Sequence, residues 1–120
     1  MLRILTSIIL TATFLCGYST ASATIIIQLD KTQLYLREAE RYNKQADQYE
    51  REAQQYTEKA KGYMKDAERY SQKKDFNQAK TYTNWANDAF EKAKLRISWA
   101  KQARDKAQLR VRWAEEAMKQ

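Results

Sequence analysis

Residues 39–70 read AERYNKQADQYEREAQQYTEKAKGYMKDAERY, and two residue types recur in them every seven positions. The alanines are Ala39, Ala46, Ala53, Ala60 and Ala67, and each is followed three residues later by one of the tyrosines Tyr42, Tyr49, Tyr56, Tyr63 and Tyr70. Spacings of three and four place both types on one stripe of an α-helix. A strict seven-residue repeat keeps that stripe facing one partner, as in coiled coils. The stretch therefore predicts a long helix that lies along another helix through a narrow seam.

The composition also favours long helices. The chain has 120 residues, enough for one domain, with no proline and only two glycines, so it has few tight-turn residues. Lys and Arg number 22 against 15 Asp and Glu, which gives a net charge of +7. A charged disordered chain is the alternative, but disorder does not require alanine and tyrosine in register.

The first residues have the features of a signal peptide. Arg3 precedes a short apolar run, and Ala21-Ser22-Ala23 presents the small residues that signal peptidase accepts, so we predict cleavage of residues 1–23. One alternative is a membrane anchor, although a span needs about 20 apolar residues. Another is lipidation of Cys16, although Leu15 stands where a lipobox has a small residue. Cleavage would leave an exported chain of charge +6 without a thiol, which excludes disulfides and cysteine metal sites.

The start of the first helix is predicted from capping signals. Residues 24–29 are apolar and β-branched, and they read as a short N-terminal arm. Asp30 is a good N-cap, and Gln33 three residues later completes a capping box. We therefore predict the first helix over residues 31–72, with Tyr35 as a further member of the tyrosine ladder.

The tyrosine register ends where a turn is expected. Residues 73–75 read as the connection, Asp75 as the N-cap of a second helix, and Gln78 as its capping-box partner. The second helix is predicted over residues 76–119. Residues 30–120 therefore form an all-α, antiparallel two-helix hairpin with an alanine and tyrosine seam, and dimerisation to a four-helix bundle is one further option.

The second helix has a repeat of fourteen residues rather than seven. Alanine recurs every seven residues from Ala79 to Ala114, while tryptophan recurs every fourteen at Trp85, Trp99 and Trp113. The apolar arc that results is wider than one partner helix covers. The candidate docking residues are Trp85, Trp99, Trp113, Ile97 and Val111, with Arg96 and Arg110 setting the electrostatic preference.

Three interpretations of this wide arc remain open. The aromatic flanks pack over the thin seam as ordinary core, or a second hairpin covers them, or they bind another protein or a lipid surface. Tryptophan beside arginine favours a membrane–water interface. Alternatively, the arginines pair with acids across the hairpin, which we favour because both helices carry many acids.

The residue types that most enzymes use are missing. The chain has no histidine, and its mature form would have no cysteine, so the commonest metal ligands and the commonest general base are absent. No glycine-rich phosphate loop is present. We predict a protein that is not an enzyme and uses no cofactor and no metal. Nucleic acid is disfavoured as a partner because an exported chain rarely meets it.

The turn region resembles known helical proteins. Lys74-Asp75-Phe76, followed by Ala79 and Tyr82, is similar to the Gly-Asp-Tyr-x-x-Ala turn of tetratricopeptide repeats, with Lys74 in place of the glycine and Phe76 in place of the tyrosine. The wider pattern resembles alanine-rich helical hairpins of the bacterial envelope and, in composition, the alanine-zipper murein lipoproteins. The resemblance implies an envelope location and a scaffold or adaptor role.

Together these observations predict an exported structural or protein-interaction coiled coil of the bacterial periplasm or envelope, or a secreted one outside double-membrane bacteria. Its partner would be another protein or a second copy in a homo-oligomer. The alternative is an amphipathic helical protein that binds an anionic membrane surface.

Overall fold

The computed structural model describes the backbone of residues 19–119 and the side-chain environments of residues 23–119. Two α-helices make up this part of the chain, α1 over Ser19–Gln72 and α2 over Phe76–Lys119, and the described residues contain no strand. The predicted all-α helical hairpin is confirmed. Most of the predicted signal peptide, residues 1–18 with Cys16, lies outside the described residues.

The first helix starts earlier than the sequence predicted. The predicted start at Lys31 is wrong, because α1 begins at Ser19 and residues 24–29 belong to the helix rather than to a separate arm. No proline or glycine interrupts this segment, and the Thr32 hydroxyl donates to the carbonyl of Gln28, one turn back, at 2.8 Å. Extending a helix costs far less than nucleating one, so an available cap at Asp30 does not start a new helix.

The predicted turn at residues 73–75 is confirmed, and its backbone closes α1. Lys74 adopts a left-handed conformation with φ of 64°. Its N–H donates to the Ser71 carbonyl at 3.0 Å, and the Asp75 N–H donates to the Tyr70 carbonyl at 2.9 Å. This is the Schellman arrangement, in which glycine usually occupies the position of Lys74.

The second helix begins and ends at the predicted residues, 76 and 119. The Asp75 carboxylate accepts the N–H of Gln78 at 3.3 Å, so Asp75 caps α2 as expected. The N–H of Asp75 is already bonded to Tyr70, which leaves the predicted capping box with only one of its two hydrogen bonds.

Alanine fills the buried seam between the helices. Every buried apolar side chain among residues 23–119 is an alanine, and Thr32 is the one buried polar residue there. Methyl groups let two helix backbones approach closely, but each buries little apolar area, so the core is thin. The buried alanines are Ala39, Ala46, Ala53, Ala60 and Ala67 in α1, and Ala86, Ala89, Ala93, Ala100, Ala103, Ala107, Ala114 and Ala117 in α2.

The hairpin divides into two compact units, each with one segment of both helices. The larger unit is Arg41–Ala107 and includes the turn; in it Ala46, Ala100 and Ala103 form a buried cluster against which Tyr49 packs. The described part of the smaller unit is residues 19–40 with 108–119.

Candidate functional site

One flank of the larger unit carries pairs of aromatic rings. Trp99 of α2 meets Tyr49 of α1 edge to face, with ring centroids 5.5 Å apart and planes at 66°. Trp85 meets Tyr63 in the same way, at 5.7 Å and 60°. Pairs of this geometry contribute about 0.5–1.5 kcal/mol beyond their buried area. The tryptophans therefore cover alternate tyrosines of the ladder, as the first of the three interpretations expected.

Lysines alternate with these tryptophans along the same flank of α2. The ammonium of Lys92 lies 5.9 Å from the ring centre of Tyr56, and that of Lys106 lies 5.7 Å from the ring centre of Tyr42. Both distances are in the range of cation–π attraction. We call this surface the aromatic flank; its members are Tyr42, Tyr49, Tyr56, Tyr63, Trp85, Lys92, Trp99 and Lys106.

Arg96 is engaged inside the hairpin. Its Nε donates to the Glu52 carboxylate at 2.9 Å, and its guanidinium lies 4.3 Å from the ring centre of Trp99 and 5.4 Å from that of Tyr56. The side chains of Arg96 and Glu52 are only 21% and 32% exposed. The pairing of arginine with an acid across the hairpin is thus present, and Arg96 offers a neutralised charge rather than a free one.

The smaller unit repeats this arrangement fourteen residues along α2. Arg110 donates to Glu38 at 2.6 Å and lies 4.3 Å from the ring centre of Trp113. Trp113 meets Tyr35 edge to face at 5.6 Å and 67°. The fourteen-residue repeat therefore encodes one structural module, a tryptophan held between a tyrosine and a paired arginine.

Near the turn a tyrosine takes the place of the arginine. Tyr82 meets the edge of Trp85 at 5.0 Å and stacks on Tyr70 at 5.3 Å with planes at 13°. Burial among these rings raises the pKa of the Tyr82 phenol, and the neighbouring Tyr70 and Asp66 raise it further. No guanidinium covers Trp85 in the described structure, and 49% of this residue is exposed.

The remaining predicted docking residues lie on the opposite flank. Successive helical residues rotate by about 100°, so Ile97 and Trp99, two residues apart, point to opposite sides of the seam. A shallow depression beside Ile97 is lined by Thr57 and Phe90, and Met64 follows one heptad after Thr57. We call Thr57, Met64, Phe90 and Ile97 the Ile97 flank. Within the larger unit, Ile97 therefore shares no surface with Trp85 and Trp99. Val111 occupies the position corresponding to Ile97 in the smaller unit.

An ion cluster that was not predicted from the sequence lies beside the Ile97 flank. Arg104 donates to Asp47 at 2.7 Å, to both carboxylate oxygens of Glu50 at 3.0 and 3.1 Å, and to the side-chain oxygen of Asn43 at 3.3 Å. The hydrogen bonds to the two carboxylates raise the pKa of the Arg104 guanidinium. One signal in the sequence was the pair of acids three residues apart on one helix face.

The first helix also has a fourteen-residue repeat, although only its seven-residue repeat was recognised from the sequence. Acids in fact recur every fourteen residues, three positions after alternate tyrosines, and they lie opposite the large residues of the α2 seam. The three acids are Glu38, Glu52 and Asp66, and the residues at the matching α2 positions are Arg110, Arg96 and Tyr82.

Two further observations concern the described part of the chain. Residues 19–119 contain no group of three or more His, Cys, Asp or Glu side chains placed to hold a metal ion. Neither helix, over its described length, has an apolar stretch sufficient to cross a membrane.

Comparison of the chain with protein-family models, with curated proteins and with solved structures gives no match.

Proposed function

We propose that this protein is a non-enzymatic helical-hairpin scaffold that acts by binding other protein surfaces. One observation carries the proposal: the large apolar side chains are outside while the core is alanine. Among them, Met64 is 44% exposed, Leu95 is 47% exposed and Ile97 is 57% exposed. Phe90 lies beside Ile97 in one shallow depression, and large apolar side chains grouped in this way usually mark a place where something binds.

The energetics agree with such a role. Full burial of a side chain such as Leu or Ile contributes roughly 1.5–3 kcal/mol, which is large for a hairpin whose own core is made of methyl groups. A partner that covers these residues would therefore stabilise the folded hairpin through linkage. The same gain is a larger fraction of the total stability when the core is thin.

The proposed location is the bacterial periplasm or envelope. The features of residues 1–23 and the resemblance to envelope hairpins support it. The test is the intact mass of the protein recovered from an exporting bacterial host. A mature chain that starts at Thr24 is expected, and a chain that stays unprocessed in the cytoplasm would contradict the location.

Binding to an anionic membrane surface is the second candidate. Leu95 is exposed one helical turn before Trp99, and Lys92 and Lys106 lie on the same flank. Apolar and basic residues on one side of a helix favour anionic lipid. The neutralisation of Arg96 by Glu52 weakens this candidate relative to the scaffold.

Two measurements separate these functions. The first mixes the protein with anionic vesicles and follows tryptophan fluorescence and co-sedimentation at low and high salt. The scaffold predicts no blue shift and no salt-sensitive binding. Membrane binding predicts both, together with their loss in Leu95→Glu. The matched control is Gln102→Glu, an exposed residue one heptad along the same helix.

The second measurement addresses protein partners. Light scattering over a range of concentrations gives the mass of the particle, and a pull-down from envelope extract compares wild type with Trp99→Ala/Trp113→Ala, Leu95→Glu and Ile97→Glu. The scaffold predicts a mass above that of a monomer, or a protein recovered by wild type and lost with one of the variants. A monomer at every concentration, with equal recovery by all proteins, would contradict it.

A further inference from the structure

We infer that the Ile97 flank of the larger unit binds a second copy of this chain, so that two hairpins form a four-helix bundle. The inference rests on the proposed scaffold function and names its partner. It depends on three features of residues 41–107. The flank has an apolar centre, its two edges carry opposite charges, and the charges on the two edges lie at the same positions along the helix axes.

The apolar centre consists of residues from both helices. Ile97 and Met64 are exposed and Phe90 is half-buried, and Thr57 lines the depression beside Phe90 and Ile97. These residues stand at the heptad positions that border the alanine seam on the side away from Trp99. A second hairpin laid on this side would cover them with its own copies of the same residues, because a twofold interface is self-complementary.

The two edges of this flank differ in charge. On α2 the outer edge carries Lys80, Lys94 and Lys101, whereas on α1 the matching positions carry the acids Asp47 and Glu68. Between those acids stand Gln54 and Lys61. Within the part of the chain that the structure describes, Lys80, Lys101 and Glu68 make no ion pair, so these three charges are available to a partner. Asp47 is already paired with Arg104, and Lys94 with Glu91.

A twofold axis parallel to the helices brings these edges together. It places α1 of each copy against α2 of the other without moving either copy along its length, and neighbouring helices run antiparallel, as in four-helix bundles. Each acidic edge then faces a basic edge. Electrostatic complementarity of this kind fixes the register and orientation of an interface.

In this arrangement the opposite charges of the two copies lie at the same positions along the helix axes. Asp47 lies two residues before Tyr49 and Lys101 two residues after Trp99, and those two rings are in contact. Asp47 of one copy therefore stands level with Lys101 of the other.

The same relation holds nearer the turn. Glu68 lies five residues after Tyr63 and Lys80 five residues before Trp85, which are also in contact. The symmetry repeats both relations, which gives two Glu68–Lys80 ion pairs and two places where Lys101 joins the existing Asp47–Arg104 cluster of the other copy.

The aromatic flank offers no comparable match. In the larger unit, the outer edge of this flank on α2 carries a single acid, Asp88. In the same twofold arrangement, the α1 residue of the other copy closest to Asp88 would be Gly62, which has no charge. Charge complementarity therefore distinguishes the two flanks and selects the one with Ile97.

The size of the flank and the ion cluster beside it are compatible with a stable dimer. Residues 76–107 span about 48 Å of helix, and two helices side by side are about 20 Å wide. A face of this size can bury the roughly 800 Å² per partner that specific interfaces need. Arg104 is already paired with Asp47 and Glu50, so covering it leaves no unpaired guanidinium, and Lys101 of the other copy offsets the second carboxylate.

The first test measures oligomeric state by sedimentation equilibrium, with circular dichroism to verify folding. It uses the full chain carrying Cys16→Ser. Wild type and the control Leu95→Glu are expected to form dimers, and Ile97→Glu is expected to raise the dissociation constant at least tenfold. Both substitutions place the same charge at exposed positions of one helix, on opposite flanks. Equal dimerisation of both variants, or loss of the dimer in Leu95→Glu alone, would overturn the inference.

The second test addresses the register through disulfide formation. Asp47→Cys and Lys101→Cys chains, each in the Cys16→Ser background, are mixed and oxidised. A covalent heterodimer is expected, whereas a mixture of Asp47→Cys with Lys80→Cys is expected to give none, because those positions stand about 30 Å apart along the bundle. Equal cross-linking in both mixtures would overturn the register.

These results also separate the dimer from the scaffold function. A wild-type chain that stays monomeric up to about 100 μM overturns the dimer, while recovery of a different protein from envelope extract would still support a scaffold. If Ile97→Glu abolishes that recovery and the chain is monomeric, the flank binds a foreign protein and the inference of a second copy is wrong.

Discussion

Enlarging one buried alanine tests how closely the two helices approach. Ala46 is fully buried and clusters with Ala100 and Ala103. Ala46→Leu adds three carbon atoms where two backbones are separated only by methyl groups. Leucine and alanine have similar helix propensities, so the change in stability reports packing. Overpacking of this kind costs about 1–3 kcal/mol.

A loss of about 2 kcal/mol corresponds to a fall in Tm of about 10 °C for a chain of this length. The assay is thermal unfolding followed by far-ultraviolet circular dichroism, at several protein concentrations because self-association would raise Tm. Gln55→Leu, at an exposed position of the same helix away from the Ile97 flank, is the control and should change stability by no more than about 0.5 kcal/mol.

A particular outcome would refute this reasoning. If Ala46→Leu unfolds at the same temperature as wild type or a higher one at every concentration, the helices have room for leucine at this level. Alanine would then not be required for close approach, and the exposed apolar residues could not be explained by a core confined to methyl groups.

Three further predictions concern the turn, the paired arginine and the tyrosine cluster. Lys74→Gly should stabilise the hairpin by about 1 kcal/mol in urea unfolding, because Lys74 has a φ of 64° that glycine adopts without strain; no gain would mean that the turn is not left-handed. A double-mutant cycle of Arg96→Met with Glu52→Gln should give a coupling of roughly 0.5–1 kcal/mol that shrinks in high salt, and a coupling of zero would exclude the pair in solution. The raised pKa of Tyr82 means that the folded state favours the protonated phenol, so this stabilisation is complete below the usual pKa of 10.0 and is lost as pH rises through the folded-state value. Tyr82→Phe should therefore lose less stability than wild type when the pH is raised past 10.0, and identical denaturation midpoints across this pH range would contradict the shift.

The helical seam could be predicted because it depends on spacing within one helix. Residues that recur every seven positions share a stripe, and the Ala and Tyr stripes from Ala39 to Tyr70 name the residues that face the partner helix. The turn was also predictable, since Asp75 supplies a local cap and the tyrosine register fails beside it. The start of α1 was not predictable. Asp30 is a good capping residue, but nothing in the preceding segment forces the helix to begin there.

The candidate site was predicted only in part. Trp99 and Arg96 were identified as important, but their partners on α1 could not be assigned from one helix alone. Which acid meets Arg96 depends on how far α1 is shifted along α2, and that shift is set by the conformation of Lys74 and the bonds around it. Ile97 and Trp99 were grouped by residue type, although the helical rotation between them places them on opposite flanks.

The sequence by itself determined the helical hairpin, its alanine seam and its turn, because these follow from periodicity and from local capping. The tertiary structure alone decided which residues of α2 lie opposite which residues of α1, and thereby turned the arginines inward to Glu38 and Glu52. The physical reason is that spacing along one chain fixes the face of a helix, whereas the pairing of two faces depends on their relative height, which only the closed turn and the packed seam define.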